Sequence, residues 1–475
     1  MHGVIFANSY KFYVLQRRST NLKIIIVGAG EVGYHIASRL AFESKKVVII
    51  DNDPDAVTKV AENLDVQVIL ASGSSPRVLS DAGIREAEIL LAVTDSDEVN
   101  LVACLTANLL SPTTRKLARI RGAGFDDFHE VFKTEAPYID TVINPEIEVV
   151  KSIQRLMRVP GAVDVGEFAE GRVNFVGIRL DRHSPMSGVR LLDFSAVFGE
   201  ARPLIAAVVR NDELIVPRGE DILRPGDLVY FISEKKRLAD TVKLFSSREY
   251  PLKRVIIVGG GRIGKRLADA LEHESINTKI IELNLERCNV LSEKMNKTVV
   301  LHGDGSDQKL LLEENVGDTD VVVTLTHDEE KNILISLLAK NLGAKSTITK
   351  VSKFSYFPLI TAIGLEKMVS PRLSATSSIL QEIRKGKILS AVAVLGEDAE
   401  VIEAVALATS RITGRPLKKL SFPKGALLVC IIRDDEIIIP DGDSVVVPDD
   451  RIILFAQRHA VKRLEKLLTV KLEFF

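Results

Sequence analysis

KIIIVGAGEVG (residues 23–33) runs from a strand-length apolar stretch into three glycines spaced Gly-x-Gly-x-x-Gly, and RVIIVGGGRIG (residues 254–264) does the same. One such loop is a weak sign. Two, each following an apolar strand and opening a helix-like segment, are a strong one. An acidic strand end follows at the same distance in both, from Gly28 to Asp51 and from Gly259 to Glu282. Further on, VVIIDND (47–53) returns as TKIIELN (278–284), and LAVTDSDEVN (91–100) returns as VVTLTHDEEKN (322–332). The chain is a repeat, and its period sets the domain plan.

Outward from the first loop, the apolar runs predict strands at 22–27, 47–50, 66–70, 89–93 and 115–120. Between them, helices are predicted from Glu31, Pro54 and Pro76 and over 97–110. Continuous Val/Ile strands alternating with helices imply a parallel sheet buried on both faces, the doubly wound Rossmann-like arrangement. A second repeated element follows each such unit: VVRNDELIVPRGEDILRPGDLVYF (208–231) is echoed by IIRDDEIIIPDGDSVVVPDDRIILF (431–455). Its short β-rich runs are punctuated by Gly, Pro and Asp turns. The predicted fold is α/β, with two Rossmann-like doubly wound parallel-sheet domains, each followed by a small β-rich α+β domain. The boundaries are an extension at 1–20, units at 21–145 and 146–245, a linker at 246–252, and units at 253–372 and 373–475. Segments 152–161 and 377–386 are predicted helices leaving the two Rossmann units.

The glycines have distinct tasks in such a loop. Gly28 and Gly259 allow the tight turn, Gly30 and Gly261 let a pyrophosphate approach the backbone, and Gly33 and Gly264 let helix pack on strand. They form a cradle at the positive end of a helix dipole. Asp51 and Glu282 stand where a carboxylate accepts from ribose hydroxyls and repels a 2′-phosphate, which favours NAD(H) or adenine nucleotides over NADP. A turn that has lost its ligand is the alternative for either loop. Glu31 stands in the first loop where Arg262 stands in the second, with Lys265 and Arg266 just beyond. A carboxylate disfavours a triphosphate and a guanidinium can pair with one, so the first site is expected to prefer NAD(H) and the second to accept ATP or ADP. The alternative for Arg262 is a solvated side chain. Thr94 and Asp95, like Thr326 and His327, end the fourth strands near the ligand crevice, and Arg119 and Lys350 end the fifth. Ser72 occupies the third-strand position where the second copy has Asp304.

Chemistry beyond binding finds no candidate. A nicotinamide dehydrogenase needs a proton donor or acceptor beside the hydride-exchanging carbon. His129, His183, His302 and His327 are isolated, and the chain lacks a Gly-x-Ser-x-Gly elbow and a Walker lysine loop. No catalytic residue and no metal site are assigned, and an NAD-dependent oxidoreductase is the disfavoured alternative. The 475 residues carry 63 basic and 64 acidic side chains, and this balance gives no footprint for nucleic acid. No apolar stretch approaches the ~20 residues that span a bilayer, and the first 21 residues read poorly as a secretory signal. Cys104, Cys288 and Cys430 are scattered without metal or disulfide spacing, which fits a reducing, cytoplasmic setting.

With these residues in hand, the chain resembles the RCK (regulator of potassium conductance, or KTN) family over nearly its whole length from Asn21. The resemblance is carried by VGAGEVG (27–33), GSSPRVLSDAGI (73–84), AVTDSDEVN (92–100), ARIR (118–121), GGGRIG (259–264) and GDGSD (303–307), and by the twofold order of the units. It implies a peripheral cytoplasmic subunit that forms a homo-oligomer, a dimer or tetrameric ring, under a potassium-transporting membrane protein of the TrkH or TrkG type. NAD(H) and ATP or ADP would shift the ring between conformations and gate ion flow; a regulator of another cation channel or transporter is the alternative. By motif position it places nucleotide contacts at Gly28 to Val32, Asp51, Thr94, Asp95 and Arg119, and at Gly259 to Ile263, Glu282, Asp304 and Thr326. Ser72 departs from the family's acidic residue at that place, and the residues before Asn21 exceed the family's usual start.

Overall fold

The computed structural model describes residues 23–468 except 44, 200–202, 212, 247–251, 354–355, 385–387 and 395–398. The predicted extension 1–20 and most of the predicted linker 246–252 lie outside the described residues. The chain divides into two compact units, with the boundary between Asn144 and Pro145.

The first unit runs β1 (Lys23–Val27), α1 (Glu31–Phe42), β2 (Lys46–Asp51), α2 (Pro54–Asn63), β3 (Gln67–Leu70), α3 (Pro76–Asp81), β4 (Ile89–Ala92), α4 (Asp97–Leu110), β5 (Arg115–Arg119), α5 (Val131–Thr134) and β6 (Thr141–Ile143). The strands form one parallel sheet in the order β3-β2-β1-β4-β5-β6. Ile24, Ile25, Ile26, Val27, Ile49 and Ile50 are all buried. β-Branched side chains suit a strand covered on both faces, and the helices supply the covers. Because β2 and β4 lie on opposite sides of β1, the sheet order reverses there, and the crevice at the carboxyl ends of β1 and β4 is the usual ligand position.

The second unit begins with α6 (Pro145–Arg158), which enters a five-stranded antiparallel sheet: β7 (Ala162–Phe168), β8 (Val173–Arg179), then α7 (Phe194–Phe198), β9 (Leu204–Arg210), β10 (Glu213–Ile215), β11 (Leu228–Glu234) and α8 (Leu238–Phe245). The order is β10-β9-β11-β8-β7. A second parallel sheet follows, with β12 (Arg254–Val258), α9 (Arg262–His273), β13 (Asn277–Glu282), α10 (Leu285–Lys294), β14 (Val299–His302), α11 (Gln308–Glu313), β15 (Val321–Thr324), α12 (Glu329–Asn341), β16 (Thr347–Lys350), α13 (Phe357–Ala362) and β17 (Met368–Val369). Its order, β14-β13-β12-β15-β16-β17, reproduces the first. Then come α14 (Pro371–Arg384), β18 (Ile388–Val394), β19 (Ala399–Val405), β20 (Ala426–Arg433), β21 (Glu436–Ile438), β22 (Arg451–Gln457) and α15 (Arg458–Leu468), with the strands ordered β18-β19-β22-β20-β21.

One apolar core in this unit joins α6 (Val149, Ile153), β8 (Val176) and α8 (Phe245) to the second parallel sheet through Val255 and Ile257 and to α9 through Leu267. Another lies between the two antiparallel sheets, where Phe175 stacks on Phe455. The two exit helices start earlier than expected, at Pro145 and Pro371 instead of residues 152 and 377. In both, proline occupies the first helical position, where its missing N–H costs nothing.

Candidate functional site

Both glycine loops take one shape. Gly28 and Gly259 have φ of 112° and 106°, in the region that favours glycine. A Cβ on Gly33 would stand 1.8 Å from the Gly28 carbonyl oxygen, and one on Gly264 would stand 2.1 Å from that of Gly259. Those two positions must lack a side chain for the helix to pass so close to the turn. Gly30 and Gly261 differ, since a Cβ there would meet nothing within 4 Å. Their backbone faces open space, as the approach of a phosphate requires.

Helix capping separates these two helices from α2, α4, α10 and α12. Asp53, Ser96, Asn284 and Asp328 cap α2, α4, α10 and α12 through side-chain oxygens that accept backbone N–H groups. Gly30 and Gly261 precede α1 and α9 without a side-chain cap. The first-turn N–H donors of α1 and α9 are therefore not claimed by a capping side chain, and an anion satisfies such donors.

Asp51 and Glu282 end β2 and β13 and reach back to the loops. Asp51 accepts from Ala29 N at 2.5 Å and Asp53 N at 2.9 Å. Glu282, only 6% exposed, accepts from Gly260 N and Asn284 N, both at 2.8 Å. Each carboxylate thus fixes the loop that follows its neighbouring strand. At the fourth strand ends, Thr94 N and Oγ1 donate to Asn100 Oδ1 at 2.9 and 2.8 Å, and Asn100 Nδ2 donates to the Thr94 and Arg119 carbonyls. Thr326, Asn332 and the Lys350 carbonyl repeat this arrangement.

The rims differ. In the first unit Arg119 is buried and donates to the Thr94 carbonyl at 2.8 Å and to Asp95 at 2.6 Å. Burial and the neighbouring Arg121 pull its pKa down, while Asp95 opposes them. The Arg119 charge expected for ligand phosphate is thus already matched by Asp95. Its counterpart Lys350 forms no ion pair among the described residues, and burial lowers its pKa against the pull of Glu329 and Glu146. Asp304 accepts from Ser306 N and Oγ, which hold its pKa below the usual value, and lies 3.7 Å from Lys331. At the matching place the Ser72 hydroxyl contacts Ser74. Glu31 is exposed. Arg262 meets Glu146 of α6 at 2.8 Å, and Arg266 approaches the same carboxylate at 3.9 Å.

The TrkA-N domain family matches residues 24–145 and again 255–371, and the TrkA-C domain family matches 175–246 and 401–469. Over 458 residues the chain is 37% identical to the Trk system potassium uptake protein TrkA of Azorhizobium caulinodans, which spans 96% of this chain and 100% of that one. This chain belongs to the TrkA family. The TrkA of Halomonas elongata matches with the same identity and coverage. Among solved structures, the GsuK RCK domain superposes with a TM-score of 0.58 over 95% of this chain and 96% of that one, at 18% identity. The GsuK channel bound to NAD gives 0.58 over 95% and 80%, at 19%. At those identities the likeness is one of fold.

Several residues of this TrkA-family frame were not singled out by sequence reasoning. Asn100 and Asn332 are wholly buried, and a Cβ on Gly73 or Gly305 would meet Val27 or Val258 at 2.1 or 2.2 Å. Their signal was present, because each recurs at the same place in both copies. Glu146 had no signal, since nothing in sequence ties position 146 to position 262. Cys104, Cys288 and Cys430 are free and buried. No described helix is long and apolar enough to cross a membrane.

Proposed function

We propose that this chain is the nucleotide-sensing regulatory subunit of a Trk-type potassium uptake system, binding NAD(H) in the first Rossmann unit and ATP or ADP in the second. It acts as a ligand-driven switch and not as a catalyst. The observation that carries this reading is the doubled loop: an open glycine, an uncapped helix start and an acidic strand end, built twice with opposite charges on the rim. The residues suited to hold a dinucleotide are Gly28 to Gly33 with Asp51, and Gly259 to Gly264 with Glu282. In support, the relatives in Azorhizobium and Halomonas are named for potassium uptake, and a structure of similar fold is a channel bound to NAD. The subunit works as a homo-oligomeric ring on the cytoplasmic face of a TrkH- or TrkG-type transporter.

The physics is linkage. A nucleotide shifts the ring between conformations only by the difference in its affinity for them. The test is potassium uptake in transport-deficient cells that co-express the membrane partner, with wild type, Asp51→Ala and Glu282→Ala compared. Each variant is expected to lose its own part of the nucleotide response. Unchanged uptake and unchanged response in both would overturn the sensing role.

A further inference from the structure

A cavity of about 580 Å³ lies in the second unit between the first antiparallel sheet, α6, α13 and α14. Small-molecule sites commonly fall at ~300–1,000 Å³. Two half-buried charged side chains on its wall, Asp164 and Arg155, form no ion pair among the described residues. Asp164 on β7 has Arg155 nearby without pairing with it, and burial pushes its carboxyl up to about 6. Arg155 on α6 donates from Nη2 to Ser152 Oγ at 2.9 Å, yet its buried Nε makes no hydrogen bond. The other guanidinium on the wall, Arg179, is already taken by Glu366 at 2.5 Å and the Gly226 carbonyl at 2.9 Å.

The backbone is shaped to hold Asp164 there. The β7–β8 register slips between Ala162 and Asp164, which sets Asp164 opposite Gly177, itself paired with Tyr230 of β11. Such a bulge re-aims a side chain. A Cβ on Gly177 would stand 2.6 Å from the Tyr230 ring, so the glycine lets the phenol lie in the same row as the carboxylate. On α14, Ser374, Ser377, Ser378 and Gln381 recur at helical spacing along the cavity wall.

The second copy is the control. Its register slips at the equivalent place, between Ile388 and Ser390, and sets Ser390 opposite Glu403, which pairs with Ile453. The inward carboxylate there is satisfied within the protein: Glu403 accepts from Arg451 at 2.6 and 3.0 Å and from Ala169 N at 3.2 Å. In the first copy the place of Glu403 is taken by Gly177 and that of Arg451 by Leu228, and Asp164 has Arg155 nearby but forms no ion pair among the described residues. Asp164 and Arg155 are half-buried and outside any ion pair among the described residues, and the Arg155 Nε is buried without a partner, so a cation and an anion supplied from outside stabilise this site together.

We propose that the cavity binds a free α-amino acid, whose carboxylate accepts from Arg155 and whose ammonium donates to Asp164 and to the Tyr230 oxygen. One guanidinium offset by a carboxylate cannot balance the several charges of a polyphosphate, and no metal-ligating cluster exists among the described residues. The ligand touches β7, α6 and α14, and so ties the first antiparallel sheet to the exit helix of the second Rossmann unit.

The test is calorimetry and thermal shift on the full chain with the twenty amino acids one at a time, and with acetate and methylammonium as half-ligands. At least one amino acid is expected to bind, and both half-ligands to fail. Asp164→Asn and Arg155→Gln should each weaken binding at least about tenfold while NADH and ATP binding are retained. Ser378→Phe, which fills the cavity from the helix side, should abolish it with the fold intact by circular dichroism. No binding by any amino acid to the wild type would overturn the proposal, as would equal binding of acetate or undiminished binding in all three variants. Loss of NADH and ATP binding in the wild type would sink the nucleotide reading and leave this one standing.

Discussion

Glu31 follows the open glycine of the first Rossmann unit, and Arg262 follows that of the second. In the repeat Ser72 corresponds to Asp304, Asp95 to His327, and Arg119 to Lys350. Against these stand the positions that agree: Gly28 with Gly259, Gly33 with Gly264, Gly73 with Gly305, and Asn100 with Asn332. The agreeing residues are those whose side chain, or lack of one, the backbone itself requires. The differing ones sit on the rim, where the fold asks little. The frame is thus carried largely by residues apart from those on the rim, and each set can be altered alone.

The largest effect is expected from the frame. Gly33→Ala and Gly264→Ala each drive a methyl into a carbonyl oxygen, at 1.8 and 2.1 Å. Each should cost about 3 kcal/mol in its own unit and abolish nucleotide binding at its own site. Calorimetry with NADH and with ATP on the full chain reads both sites. If Gly264→Ala also removed the NADH signal, the two sites would not be separable.

Next is a contact present in one half only. Glu272, at the end of α9, takes the N–H groups of Lys297 at 2.9 Å, Thr298 at 2.7 Å and Asn296 at 3.2 Å. Burial would raise its pKa, but these donors outweigh it and hold it at about 2. The folded pKa is depressed, so the stability is present above the unfolded value, ~4.3 for Glu, and is lost as pH falls toward the folded one. The second unit should therefore lose melting temperature between about pH 5 and pH 3, and Glu272→Gln should be less stable at neutral pH with a flatter profile. Parallel profiles for variant and wild type would refute this.

Smaller again is the exchange of strand-end carboxylates for amides. Glu282 is buried and accepts two backbone N–H groups, and Asp51, half-buried, accepts two as well. Glu282→Gln turns an acceptor into a donor facing a donor, worth about 1–3 kcal/mol. Asp51→Asn should cost less, because water reaches it. ATP and NADH titrations of the two variants give the order, and a larger loss in Asp51→Asn would reverse the ranking.

Much of this was legible in the sequence, and the gaps have physical causes. The apolar strands and the tasks of Gly28, Gly30 and Gly33 could be read because local sterics dictate them. The sixth strands escaped notice because Thr141–Ile143 and Met368–Val369 are too short to leave a pattern. The first turns of α6 escaped because EIEVV is rich in β-branched residues, and burial of Val149 and Val150 overrides their weak helix preference. For Arg262, pairing with phosphate and a solvated side chain were both open, because sequence shows a charge but not its neighbour. Glu146 lies on another element, and only the packing of α6 on α9 brings the two together.

That neighbour supplies the mildest and most specific test of the comparison. Glu146 is buried, while Arg262 is more than half exposed, so solvent limits the pair to about 1 kcal/mol or less. The carboxylate occupies the guanidinium that a γ-phosphate would use, and Arg266 adds to its hold. Glu146→Gln leaves the shape of the contact and removes the competing charge. ATP affinity at the second site should rise about two- to fivefold, NADH affinity at the first should stay fixed, and high salt should shrink the gain. A fall in ATP affinity would mean that Glu146 orients Arg262 for the phosphate instead of competing with it. The charge difference between the loops would then act through a preset guanidinium, with Glu146 as part of the second site.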